Sequence, residues 1–274
     1  MVGLSFLKLI RIWNSLLVLA SVFIGVLFTE TLSPAAPIVL SCVSAFFIAS
    51  GGYGVNDYFD YRIDLVNKPL RPIPRGDLKR MHAVVVSLLF MGTGVVIAHF
   101  ISGKLGLVAA AAAGLLILYS YVLKRLVFVG NFVVSLLCGL AFVYGGMSVG
   151  KIGPTLVPAA FSFLFHLGRE ILKDVEDVEG DRKGGAHTIP IRFGRRSAII
   201  LYTLIYLLLI ALTPFPYLRG IYSWRYLISV VVLVDLSLIL TIMYVWRRDA
   251  NYGIANRVLK LIMPLGLFSL YLGR

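Results

Sequence analysis

The sequence predicts an all-α polytopic membrane protein of about nine transmembrane helices. Three observations carry that expectation. Of its 274 residues, 59% are hydrophobic and only 14% charged, whereas soluble domains average about 25% charged residues. The mean hydropathy is +0.91, and apolar runs of about 20 residues recur along the whole chain. Against this background stand two compact acidic clusters, Asn56 to Asp64 and Asp174 to Asp181, which hold eight of the 13 carboxylates. Ionised groups are expensive inside a membrane protein, so such clusters require partners.

The expected helices cover residues 12–28, 35–54, 82–101, 105–123, 127–149, 156–172, 197–212, 225–245 and 255–272. The first lies in an apolar stretch longer than a signal-peptide core, with no small-residue cleavage site, so it reads as a retained span. The second ends in Gly51-Gly52-Tyr53-Gly54, which matches no phosphate-binding loop and suggests close packing or a bend. The fourth contains a run of small residues at 109–114 that lets helices approach closely. The eighth carries Asp235 alone, for which a local hydrogen-bonded role is expected. Cys42 and Cys138 lie inside apolar segments and read as small core residues. His99 reads as structural, His82 and His187 as loop residues. His166 lies nearly in line with the second acidic cluster. The whole chain, 1–274, is expected to form one domain.

The formal charge is +13, but its placement argues against nucleic acid. The basic residues sit in short loops between spans, where they set orientation and meet anionic headgroups or phosphate ligands. With nine spans, 21 of the 26 Lys and Arg fall on one side, together with the N-terminus and both acidic clusters. The positive-inside rule makes that side cytoplasmic, with an extracytoplasmic C-terminus.

An α-helix advances about 100° per residue. On that geometry Asn56, Asp57, Asp60 and Asp64 share one face, while Tyr58 and Arg62 point away. Glu170, Asp174, Asp177 and Asp181 share another, while Glu176 and Glu179 point elsewhere. Each cluster is thus a one-sided set of oxygen ligands. No His or Cys joins it, which disfavours zinc and copper and favours magnesium or manganese. Two such faces could hold two or three Mg2+ ions against a diphosphate. Solvated charges at helix ends are the plain alternative, but the same pattern occurs twice, each time beside a basic loop.

These residues resemble the UbiA superfamily of intramembrane prenyltransferases. Asn56-Asp57-Tyr58-Phe59-Asp60-(x3)-Asp64 is similar to its first motif, Asn67 to Gly76 to the loop that follows, and Asp174-(x2)-Asp177-(x3)-Asp181 to its second motif. Many members carry an acidic residue where this chain has Arg62, which points off the ligand face. The resemblance implies helices around a central cavity, capped by polar loops on the cytoplasmic side. It implies an enzyme in which a prenyl diphosphate ionises with Mg2+ assistance and the allylic cation is captured by an acceptor.

Within the superfamily the loop strings are most similar to a branch that builds archaeal ether lipids and to one that prenylates a tetrapyrrole. The expected reaction is geranylgeranyl transfer to the free hydroxyl of geranylgeranylglyceryl phosphate, a lipid-like phosphorylated acceptor. An aromatic or tetrapyrrole acceptor is the competing reading. An ion-coupled transporter is disfavoured because only Asp235 lies near the bilayer midplane. A phosphatidyl-transferring synthase is disfavoured because its Asp-Gly and Ala-Arg spacing is missing.

By the same resemblance, Asn56, Asp57, Asp60, Asp64, Asp174, Asp177 and Asp181 would hold metal, with Asp60, Asp64, Asp177 and Asp181 carrying catalysis. Arg11 and Asn14 would contact diphosphate or acceptor, Lys68 and Arg71 phosphate, and Tyr119 with Lys124 the diphosphate, although Arg11 could be a charge anchor and Lys124 could snorkel. Glu170 joins the substrate-binding set. Tyr144 is either a packed aromatic or a ring that stabilises the cation.

Overall fold

The structure, a computed structural model, describes residues 2–274, the side chains of Val2 and Asn67 lying outside that description. It is 81% helical, with no strand among the described residues. Short α1 (Val2–Leu9) meets α2 (Ile12–Phe28) at a 51° bend. Then follow α3 (Ala35–Phe59), short α4 (Tyr61–Asn67), α5 (Arg80–Ile101), α6 (Gly103–Tyr121), α7 (Val129–Ser148) and α8 (Leu156–Glu176). Short α9 (Val178–Lys183) and α10 (Ile189–Phe193) lead into α11 (Arg195–Leu212) and α12 (Phe215–Leu218). The chain ends with α13 (Trp224–Val230), α14 (Leu236–Val245) and α15 (Tyr252–Leu272).

Each of the nine expected segments overlaps a helix, although 105–123 runs past the end of α6 and 127–149 overruns α7 at both ends. Among the described residues, seven helical stretches are long and apolar enough to cross a membrane, and an eighth is added if α1 and α2 form one bent span. The expected span 156–172 is the exception. Its helix α8 carries Arg169, Glu170, Lys173, Asp174 and Glu176 in its final turns, too many charges for a purely apolar crossing.

Two large cores, beside a small one, hold the bundle together. One joins α8, α11, α13, α14 and α15 around Ile171, Tyr202, Tyr206, Tyr226, Leu238 and Leu259. The other joins α2, α3, α5, α6 and α7 around Val22, Cys42, Ile48, Met91 and Ala109. Lipid tails give little hydrophobic drive for helix association, so close backbone approach matters. Glycines provide it. A Cβ on Gly94 of α5 would lie 2.7 Å from the Ser44 carbonyl of α3. One on Gly139 of α7 would lie 2.7 Å from the Ala159 carbonyl of α8. Gly25 and Gly145 make the same contact between α2 and α7, against the Phe142 and Val22 carbonyls. Gly51 meets Ser87 and Met91 inside a continuous α3, so the glycine cluster there serves packing and not a bend.

The small-residue run of α6 is only half used. Ala109 and Ala113 are buried, whereas a Cβ on Gly114 would meet nothing within 4 Å outside its own stretch of helix, among the described residues. Asp235 closes a π-helical turn, Val231–Asp235. The Thr213 hydroxyl donates to its carboxylate at 2.8 Å, and the Tyr226 hydroxyl donates to the Thr213 carbonyl. That matches the local role expected for it.

Gly94→Ala should therefore destabilise the solubilised protein by about 1–3 kcal/mol. Gly92→Ala, at a position where an added Cβ would meet no other part of the described structure within 4 Å, should be neutral or stabilising by up to about 1 kcal/mol. Thermal unfolding in detergent compares the two; equal melting points would refute the contact argument.

Candidate active site

Both acidic clusters break their helices in the same way. α3 ends at Asp60 (φ −83°, ψ 0°) and α4 follows at once. α8 ends at Asp177 (φ −90°, ψ 5°) and α9 follows at once. This bridge conformation kinks the chain, yet the i to i−4 hydrogen bonds continue. The Asp64 N–H donates to Asp60 O at 2.8 Å and the Asp181 N–H to Asp177 O at 3.0 Å. The helical phase read from sequence therefore survives the break. α4 packs against α9, with Ile63 over Gly184.

The two faces open into one pocket. Asn56, Asp60, Asp64, Asp174, Asp177 and Asp181 line it, together with Glu170 and Tyr119. Arg11, Lys68, Arg71 and Lys124 line it as well. The first cluster is fully paired. Lys124 Nζ donates to Asp60 Oδ1 at 2.5 Å and to Asn56 Oδ1 at 3.1 Å. Arg71 Nη1 donates to Asp64 Oδ2 at 2.5 Å and to Asp57 Oδ1 at 3.0 Å. Arg11 Nη2 donates to the same Asp57 oxygen at 2.6 Å.

Local structure aims each cation. Arg11 occupies the bend between α1 and α2 in a left-handed conformation (φ 46°), uncommon for a residue other than glycine and typical of a constrained functional position. Arg71 lies in the loop after α4, anchored by Ile73, which is buried with Leu9 and Ala83. Lys124 lies in a 3₁₀ turn, Leu123–Arg125, packed on the start of α7. A Cβ on Gly130 would come within 2.7 Å of Lys124 Cα.

The second cluster is paired less completely. Asn131 of α7 donates to Asp174 at 2.8 Å, and Lys68 lies 3.7 Å from Asp177. Asp181 has no ion-pair partner among the described residues. Burial pushes its carboxyl up to about 6, with the nearby Asp177 charge adding to the effect. Burial also raises Asp64 against the pull of Arg71, and lowers Lys68 and Lys124. Charged groups here are thus less well solvated than in water, and an added cation and anion would relieve both signs.

Three expected site residues lie elsewhere. Asp57 is 1% exposed and outside the lining; it turns inward, where its carboxylate anchors two guanidinium groups. Asn14 is exposed and outside the lining, because α2 turns it away from the bend at Arg11. Tyr144 is buried between helices, its hydroxyl 2.9 Å from Ser44 Oγ, so it reads as a packed aromatic. His166 donates to the Ser162 carbonyl at 2.9 Å within its own helix. Tyr58 and Glu176 point off the pocket as the phasing implied. Tyr58 stacks under Arg80, and Glu176 accepts from Asn256 at 2.6 Å.

Sequence reasoning missed Lys173, Asn131, Arg125 and Thr188, which also line the pocket. Lys173 bonds Glu170 at 3.3 Å beside Arg169. Its position before Asp174 mirrors that of Asn56 before Asp57, a signal that was readable. The other three come from separate helix ends and loops and carry no local signature.

The all-oxygen donor set suits Mg2+ by ligand chemistry. Among the described residues no three His, Cys, Asp or Glu side chains converge as a ready cage. Mg2+ is typically held by one or two carboxylates together with substrate phosphates, so the arrangement fits an ion bound with an anionic substrate.

A helical membrane bundle with paired aspartate faces and convergent cations is one built to handle a diphosphate, and the chain belongs to the UbiA prenyltransferase family, which matches residues 18–261. It is 32% identical to the digeranylgeranylglyceryl phosphate synthase of Methanothermobacter thermautotrophicus, over 98% of this chain and 95% of that one. A solved structure of a digeranylgeranylglyceryl phosphate synthase superimposes with a TM-score of 0.80 at 31% identity, covering 99% of this chain and 98% of the other. A UbiA homologue from Archaeoglobus fulgidus, bound to DMAPP and Mg2+, shares the fold, with a TM-score of 0.70 at 19% identity over 97% and 99% of the two chains. The chain is accordingly an integral membrane prenyltransferase.

Asp60→Asn and Asp177→Asn should each lower prenyl transfer by roughly 100-fold or more, since electrostatic groups of this kind contribute on that scale. Glu176→Gln should remain within a few-fold of the parent, because its carboxylate serves the α8–α15 contact. Diphosphate release by purified variants measures both; equal losses at Glu176 and Asp177 would refute the assignment of faces.

Proposed function

We propose that this protein transfers a geranylgeranyl group from geranylgeranyl diphosphate to the free hydroxyl of geranylgeranylglyceryl phosphate, forming the second ether bond of an archaeal membrane lipid. The observation that carries this reading is the single pocket into which both aspartate faces and their cations open. The similarity to digeranylgeranylglyceryl phosphate synthases over nearly the whole chain supports the choice of substrates.

Bound magnesium, held by Asp60 and Asp64 on one side and Asp177 and Asp181 on the other, would neutralise charge on the departing diphosphate. The protein's own residues do the rest. Arg71 and Lys124, released from their carboxylates, turn to the donor diphosphate and favour it through charge-assisted hydrogen bonds. Arg11 remains on Asp57 and fixes the bend that frames the pocket. Lys68 and Lys173 balance the second aspartate face. Tyr119 borders the reacting zone from α6. The carbon–oxygen bond to the diphosphate breaks, the allylic cation is captured by the acceptor hydroxyl, and that hydroxyl loses its proton. The helical bundle excludes water that would otherwise capture the cation.

We further infer one domain over 1–274 with nine spans, α8 being the ninth. The polar pocket and the N-terminus then face the cytoplasm and the C-terminus lies outside, as the positive-inside bias requires. Membrane lipid supplies the route for both prenyl chains.

An in vitro assay with geranylgeranyl diphosphate and a panel of acceptors, read by mass spectrometry, tests the reaction. Geranylgeranylglyceryl phosphate should be converted fastest, and activity should vanish with EDTA and return with Mg2+. A hydroxybenzoate or tetrapyrrole as the better acceptor would overturn the lipid assignment, and full activity in excess chelator would overturn the metal assignment. A reporter fused after Arg274 should be extracytoplasmic and one inserted near Arg75 cytoplasmic; a cytoplasmic C-terminus would remove one span.

A further inference from the structure

One corner of the pocket is furnished with hydrogen-bond donors that the protein itself leaves unused. Five of the six basic side chains lining the pocket pair with carboxylates. These are Arg11, Lys68, Arg71, Lys124 and Lys173. Arg125 is the sixth, and no carboxylate pairs with it among the described residues. Its Nε is buried and has no hydrogen-bond partner among the described residues. Thr188, 5% exposed, also lines the pocket, and its Oγ1 is likewise buried and unpartnered. A buried polar group left unpaired costs free energy, roughly 1–3 kcal/mol, so two at one pocket corner call for an explanation.

The corner is a built one. The His187 N–H donates to the Arg125 carbonyl at 2.9 Å, tying the loop that carries Thr188 to the turn that carries Arg125. The same turn packs on Gly130 at the start of α7, where a Cβ would be 2.7 Å from Lys124 Cα. α7, 20 residues long, has no side-chain cap. The first-turn N–H groups of Gly130 and Asn131 have no intrahelical acceptor, and both residues line the pocket. A guanidinium, a hydroxyl and the positive end of a helix thus share one wall, a set of donors suited to a phosphate. Asp174 borders this wall, with one carboxylate oxygen engaged by Asn131.

We propose that Arg125, Thr188 and the start of α7 bind the phosphate of the acceptor, apart from the donor diphosphate. The inference rests on the function proposed above and deepens it. Two anions must enter one pocket without meeting. The donor diphosphate takes the cations that the first aspartate face gives up. The acceptor's phosphate and its free hydroxyl belong to one three-carbon unit, so the phosphate must be held close to the reacting zone but on separate donors. Arg125 neighbours Lys124 in sequence, and its guanidinium needs no carboxylate to let go. The site would therefore select a phosphomonoester acceptor over the corresponding alcohol.

The test uses the full chain in detergent or lipid nanodiscs, with the phosphorylated acceptor, geranylgeranylglycerol and inorganic phosphate as probes. Arg125→Gln should raise the KM for the phosphorylated acceptor about tenfold or more, leaving the donor KM nearly unchanged. Thr188→Val should act in the same direction with a smaller effect. Geranylgeranylglycerol should react slowly with the parent and no more slowly with Arg125→Gln, so the preference for the phosphorylated acceptor narrows. Inorganic phosphate should compete with the acceptor in the parent and lose that effect in Arg125→Gln. A rise in donor KM, an equal loss with both acceptors, or competition by phosphate against the donor would each overturn the proposal. If Arg125→Gln fails to fold, Arg125→Lys, which keeps the charge but loses the planar fork, is read by the same KM split. A parent enzyme that ignores the phosphorylated acceptor defeats the proposed function; one that uses it while Arg125 is indifferent defeats only this site.

Discussion

The polar end of this molecule is organised by the need to neutralise carboxylates carried on helices of a lipid-soluble bundle. Asp57, Asp60 and Asp64 meet Arg11, Arg71 and Lys124 with matched charge, and every contact in that set is at hydrogen-bond distance. Removing one partner of a buried pair strands the other, at a cost of about 3–5 kcal/mol. The surrounding backbone holds those partners in reach. A left-handed residue makes the bend at Arg11, buried Ile73 fastens the loop of Arg71, and Gly130 admits the turn of Lys124. The polar frame is thus a set of backbone solutions to one electrostatic problem.

The two aspartate motifs share a spacing and a helix break but not an electrostatic state. The first meets three cations. The second has an amide on Asp174, a more distant lysine on Asp177 and, among the described residues, no ion pair on Asp181. Basic side chains occupy the carboxylates of the first face. A diphosphate arriving with its metal would exchange partners, metal to carboxylate and phosphate to guanidinium or ammonium. Such an exchange would keep the charges of the first face paired.

Beneath that end, glycines at helix crossings set the frame. Where backbone meets backbone, as at Gly25, Gly94, Gly139 and Gly145, a helix cannot slide without collision. α7 is held in this way to α2 and to α8, and its uncapped start reaches the pocket. A helix whose first turn lines the pocket is therefore also tightly located.

Much of this was legible in the sequence. Hydropathy located the long helices, seven of them among the described residues apolar enough to cross a membrane, because lipid exposure demands long apolar stretches whatever the tertiary contacts. The i, i+4 spacing of Asp60 with Asp64 and of Asp177 with Asp181 predicted two ligand faces, and the faces persist because the hydrogen-bond ladder runs through each break. Tyr58 and Glu176 were correctly directed away by the same phase. What periodicity could not decide is which neighbour a face meets. Asp57 has the right phase for a ligand, yet two guanidinium groups from distant segments claim it. Asn14 and Tyr144 have suitable chemistry but lie outside the pocket, through a bend at Arg11 and a hydroxyl contact at Ser44. Arg125, Asn131 and Thr188 belong to three separate segments, and only the packing of a turn, a helix start and a loop brings them together. Local sequence determines the helices and the phase of their charges, because those depend on neighbours along the chain. Tertiary structure decides the pairing, because a charge is neutralised by whatever the fold brings within about 3 Å, however far away it lies in sequence.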